Sequence, residues 1–157
     1  MSKLLKLLHE LESNISNCEA FNLAISKSPV SWHIEHACLT ISLIIDGLKK
    51  SDMNKYKWKF SLPKVLIFFV NKIPRGRAQA PASVQPKSIA TMKTLQRQLI
   101  TTKIKLAELH ILKPNNYFEH PVFGKLNLKP TIQFLEIHTR HHIAIINDII
   151  NANNKLV

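Results

Sequence analysis

Apolar residues recur along this chain at steps of three and four, the spacing of helices that bury one face. Residues 2–12 carry Leu4, Leu5, Leu7, Leu8 and Leu11 in such a pattern and predict an amphipathic first helix. Residues 13–31 are looser and rich in Asn and Ser. Pro29 marks a start, and Ser31 suits the N-cap of a second helix over residues 32–50, with Trp32, Leu39, Ile41, Leu43, Ile44, Ile45 and Leu48 among its apolar positions. A polar, basic connection over residues 51–60 leads to a short and very apolar third helix at 62–71. Pro74, Pro81 and Pro86, with Gly76, stop helix over residues 73–87 and predict a long crossover loop. The fourth helix is predicted over residues 88–112, on a stripe of Ile89, Met92, Leu95, Leu99, Leu106 and Leu109, and Pro114 ends it. Residues 114–129 read as a second long loop. Pro130 suits the first turn of a fifth helix reaching about residue 151.

No stretch alternates for long enough to be a clear strand, and only three glycines occur. With no internal repeat and no composition break, the 157 residues predict one all-α domain. The four longer segments fit a four-helix bundle with long crossover connections.

The fifth segment breaks its own pattern. Leu135, His138, His142, Ile145 and Ile149 step by three and four, so two imidazoles stand where the seam calls for aliphatic side chains. On the second segment His36 steps to Leu39 and Leu43 in the same way, and His33 lies one turn before it. A buried imidazole must satisfy both ring nitrogens or lose roughly 1–3 kcal/mol. A metal ion shared between two helices would satisfy several at once, and three imidazoles with an open position is a catalytic arrangement suited to Zn²⁺ or Ni²⁺. The spacing has a plainer reading too. H-x-x-x-H occurs by chance, the glutamate of an H-E-x-x-H motif is absent, and hydrogen-bonded core histidines would fit the same pattern.

Charge and cysteines narrow the class. The net charge is +12, from 22 basic and 10 acidic side chains, which allows nucleic acid, anionic surfaces or acidic small molecules as partners. The basic residues are scattered, with modest clusters at 49–64 and 72–77, and read mainly as solvated surface. Lys55 to Phe60 alternates lysine with Tyr56, Trp58 and Phe60, but six residues make a short stripe for nucleic acid, and no specific nucleic-acid partner is expected. The longest apolar run is far too short to span a membrane, no signal-peptide region is evident, and no membrane partner is expected. Cys18 and Cys38 lie in no CxxC motif and suit a reducing cytoplasm, where Cys38 reads as a small core residue.

Four blocks in order carry a resemblance over most of the chain: Ser31-Trp32-His33-Ile34-Glu35-His36, then Pro74-Arg75-Gly76-Arg77-Ala78-Gln79-Ala80-Pro81, then His120-Pro121-Val122-Phe123-Gly124-Lys125-Leu126, and His138-Thr139-Arg140-His141-His142. Together they resemble the DinB/YfiT-like superfamily of metalloenzymes, in its small uncharacterised bacterial branch. The resemblance implies a four-helix bundle with crossover connectivity and a metal held by His36, His138 and His142. It favours His36 over His33, because apolar residues continue the helix after His36. It further implies a thiol-dependent S-transferase using bacillithiol, mycothiol or glutathione on a small-molecule substrate, and pairing of bundle faces into a homodimer. A metal-dependent hydrolase and a non-catalytic metal- or ligand-binding bundle are the alternatives. His141 and His120 are candidates for a supporting or proton-carrying role beside the metal. Arg75 and Arg77 are candidates to grip the carboxylates of an anionic cosubstrate. Glu35 and Asp46 are candidates to orient ligands.

Overall fold

The computed structural model describes residues 2–76 and 79–155. It is mostly helical. In chain order the described helices are α1 (Lys3–Ser13), α2 (Val30–Lys50), α3 (Leu62–Val70), α4 (Met92–Ala107) and α5 (Leu128–Asn154). Arg77 lies outside the described residues.

α2 is the central element. It buries Ile34, Ala37, Cys38, Ile41, Ile44, Ile45 and Leu48, a band too wide for one seam, because it packs against both α4 and α5. The expected line through His36, Leu39 and Leu43 is therefore only partly inward: His36 is buried, but Leu43 is exposed. The helix also starts earlier than expected. Pro29 takes the N-cap position in an extended conformation, and Ser31 is buried within the first turn. No side chain caps this end. The amides of Val30 and Ser31 donate instead to the carbonyls of Ala20 and Cys18 at 3.0 and 2.8 Å, so the preceding turn supplies the acceptors that a helix start requires.

α1 is capped by Ser2 and buries Leu4, Leu8 and Leu11. Like α2, it packs against α4 and α5. α1 and α2 thus share the same two neighbours. α4 starts at Met92, where Thr91 accepts the Thr94 amide at 3.3 Å. The residues before it are not helical, so Ile89 and Met92 of the expected stripe are exposed while Leu95, Leu99 and Leu106 are buried. Beyond Ala107 the helix tightens into a 3₁₀ turn, Glu108–Ile111. α5 begins at Leu128, which puts Pro130 in the first turn, where its missing amide removes no helical bond.

The expected loop at 114–129 contains a small hairpin, the one departure from helix and loop among the described residues. β1 (Tyr117–His120) and β2 (Gly124–Asn127) pair antiparallel, with Phe118 opposite Leu126 and His120 opposite Gly124. Gly124 supplies a positive φ of 68° at the turn. The hairpin lies on α2 at Gly47, where a β-carbon would come 3.3 Å from the Phe118 ring. No helix among the described residues is long and apolar enough to cross a membrane.

Candidate metal centre

The buried faces of α2 and α5 bring His36, His138 and His142 together. One ligand atom from each lies within 4.8 Å of the other two. His138 Nε2 is 3.3 Å from His36 Nε2 and 3.3 Å from His142 Nε2. Two nitrogens each about 2.05 Å from a tetrahedral ion stand about 3.3 Å apart, so both spacings match the edge of a tetrahedral nitrogen site.

A hydrogen bond fixes the proton of one of these rings, and a second ring has a partner compatible with the same arrangement. His36 Nδ1 lies 2.8 Å from the carbonyl oxygen of Val84. A carbonyl only accepts, so Nδ1 carries the proton and Nε2 presents its lone pair to the cluster. Val84 ends a 3₁₀ turn, Ala82–Val84, in the crossover segment between α3 and α4. His142 Nδ1 is 3.0 Å from His33 Nδ1, and His33 Nε2 is 2.9 Å from Ser26 Oγ. With the His142 Nε2 lone pair inward, its Nδ1–H donates to His33, and His33 Nε2–H donates to Ser26. A ligating histidine commonly needs such a partner on its other nitrogen. His138 has none: its Nδ1 is buried without a partner. Packing holds that ring, with Phe134 at 5.7 Å between centroids. Trp32 lies nearly parallel to His36 at 4.8 Å and 14°.

Burial keeps these imidazoles neutral. It drives the pKa of His138 and His142 well below the ordinary value of 6.5, and neighbouring histidines add to the effect. His36 is lowered by burial against the opposing pull of the Val84 carbonyl. His33 is pushed down to about 4, by burial first and then by His36, His141 and Arg75. Neutral imidazoles are what a metal requires of its ligands. The donor set, two of the three nitrogen separations and two of the three ring orientations fit an ion.

A cleft of about 660 Å³ is lined in part by Ser26, Lys27, Arg75, Gln79 and His141; none of the three histidines lines it, and it adjoins them through His141 and Ser26. The His141 ring is 5.2 Å from that of His142, and burial lowers its pKa, with Arg75 acting in the same direction. Arg75 pairs with Asp148 at 2.8 Å.

Of the remaining candidates, His120 and Asp46 have other partners as well. His120 belongs to the hairpin: its Nδ1 accepts the amides of Val122 and Phe123 at 3.1 and 3.3 Å, and its ring stacks on Phe123. Asp46 accepts from Lys105 at 2.5 Å, on the α4 side of α2. Glu35 has one buried oxygen without a partner, and burial raises its pKa. Cys38 is a buried free thiol pushed up to about 12, which removes it as a nucleophile near neutral pH. His33 carries no sequence signal beyond its place one turn before His36.

The fold and site define a mostly helical protein with a buried three-histidine group that could hold a metal ion. No family model, no curated protein and no solved structure matches the chain.

Proposed function

We propose that this chain is a metal-dependent enzyme of the DinB/YfiT-like kind, a four-helix bundle with long crossovers that transfers a low-molecular-weight thiol to a small electrophile. The observation carrying this reading is the meeting of three neutral imidazoles, two of them with a hydrogen-bond partner on the outer nitrogen, beside a cleft. Three protein ligands leave a tetrahedral ion one position for substrate, and Zn²⁺ or Ni²⁺ suits imidazole donors. When bound, the ion would supply the positive charge that favours a thiolate over a thiol near neutral pH. The chain's own residues do the rest. Lys27 and Arg75 offer the cleft cationic groups for a carboxylate, and Asp148 holds the Arg75 guanidinium in place. His141, neutral and at the cleft wall, accepts the thiol proton.

A second reading is a non-catalytic metal-binding bundle, and a metal-dependent hydrolase is a third. Burial favours the second, since His36 and His142 are only 4% and 6% exposed. Metal content separates the first question from the others. Protein purified without an affinity tag is expected to carry about one divalent ion per chain, and the His138→Ala/His142→Ala variant none. Equally low metal in both sinks the site. Loaded protein that conjugates no thiol to any of a panel of electrophiles leaves the binding or hydrolytic reading.

A further inference from the structure

α3 presents to solvent the pattern that the longer helices bury. Leu62, Val65, Leu66, Phe69 and Val70 fall at i, i+3, i+4, i+7 and i+8, and they are 66, 46, 59, 87 and 52% exposed. The opposite side is anchored: Ile67 and Phe68 pack against the core, Phe68 with its ring 6.0 Å from Phe123. The end is fixed as well. Asn71 closes the helix in the left-handed region, and its side chain accepts from Arg140 of α5 at 3.0 Å. Trp58 and Phe60, in the chain just before the helix, are both 65% exposed as well. The chain before the helix folds back on its first turn, where Lys64 Nζ sits 5.2 Å over the Trp58 ring and donates to the Lys59 carbonyl at 3.1 Å.

The charge of the chain segment that carries this face is one-sided. Residues 53–107 contain 12 Lys and Arg and no Asp or Glu, while the rest of the chain contains the other 10 basic and all 10 acidic residues. The whole net charge of +12 therefore resides in the segment that carries α3. Arg75, Lys103 and Lys105 are paired with acids from other elements. Among the described residues no ion pair involves Lys57, Lys59, Lys64 or Lys72.

We propose that α3 and the lysines flanking it form a docking surface for an anionic lipid bilayer, with α3 lying in the plane of the headgroups. The helix is too short to span a membrane, but lying on one requires an apolar face, flanking cations and interfacial aromatics, and all three are present. A second copy of the chain is disfavoured as the occupant, because pairing the same face would oppose two sets of unpaired lysines. Nucleic acid answers the charge but leaves five aliphatic and aromatic side chains without a partner.

The test is flotation of the full-length protein with phosphatidylcholine vesicles made with or without phosphatidylglycerol. The protein is expected to float only with the anionic vesicles, less so at raised salt, with a blue shift of Trp58 emission. Leu66→Glu/Phe69→Glu should abolish flotation without changing thermal melting, since both side chains are exposed. Lys57→Glu/Lys59→Glu should weaken it by at least about fivefold per lysine. Should the double glutamate variant misfold, brominated lipids decide the matter in wild-type protein: they should quench emission that is missing from Trp58→Phe. Absence of flotation with anionic vesicles overturns the proposal, as does undiminished flotation of a folded Leu66→Glu/Phe69→Glu variant. A wild-type dimer that this variant dissociates, without vesicle binding, assigns the face to a second copy instead. Salt-sensitive DNA retention without vesicle binding assigns it to nucleic acid.

Discussion

At the scale of single residues, the site depends on proton positions. His36 can turn a lone pair inward because its one N–H, on Nδ1, donates to the Val84 carbonyl. His142 does so in the tautomer whose Nδ1–H donates to His33 Nδ1 while His33 Nε2–H donates to Ser26. His33→Ala should therefore lower metal affinity by about 10- to 100-fold, while leaving the three ligands in place. Competition with a chromophoric chelator measures this, and unchanged affinity would remove His33 from the site. His36, His138 and His142 were legible because an imidazole on an apolar seam contradicts its surroundings. His33 was less legible, because its importance depends on a ring facing it from α5, 109 residues away. The Val84 contribution was not legible at all, since a main-chain carbonyl carries no side-chain signal.

At the scale of elements, helices announced themselves through length and period, and their ends were less certain. The start of α2 was misread because distant backbone carbonyls, and not a capping side chain, satisfy its first amides. The hairpin escaped because each strand has only four residues, too few for alternation to stand out from a polar loop. One side chain ties the residue before the hairpin to the end of α2. Buried Asn116 donates to the Leu48 carbonyl at 2.9 Å and to Ser51 Oγ at 3.2 Å, and it accepts the Lys113 amide at 2.8 Å. Asn116→Ala takes the acceptor from the Lys113 amide and removes one of several bonds at the Leu48 carbonyl and Ser51 Oγ, and should cost about 1 kcal/mol in urea unfolding. A loss within error would mean that Ser51, which accepts the Tyr117 amide at 3.0 Å, is sufficient to hold the strand.

For the molecule as a whole, buried neutral histidines make metal-free stability depend on pH. His33 and His120 have pKa values near 4, burial being the main cause for each, against 6.5 when free. Between those values the unfolded chain binds protons that the folded chain does not. Stability is therefore complete above about pH 6.5 and is lost as pH falls toward 4. The part due to His33, only 4% exposed, is about 3 kcal/mol; the more accessible His120 contributes less. Urea titrations of chelator-treated protein at pH 7 and about pH 5 should show the loss, and equal midpoints would contradict it.

The pairing of the long helices has a temporal side. α1 and α2 share α4 and α5 as neighbours, so each must wait for chain made much later. During synthesis, at roughly 5–20 residues per second, Leu4, Leu8 and Leu11 stay without their native cover until α4 and α5 have emerged. Contacts this distant in sequence favour slow folding. His138 and His142 belong to α5, so metal capture can only follow the last helix into place.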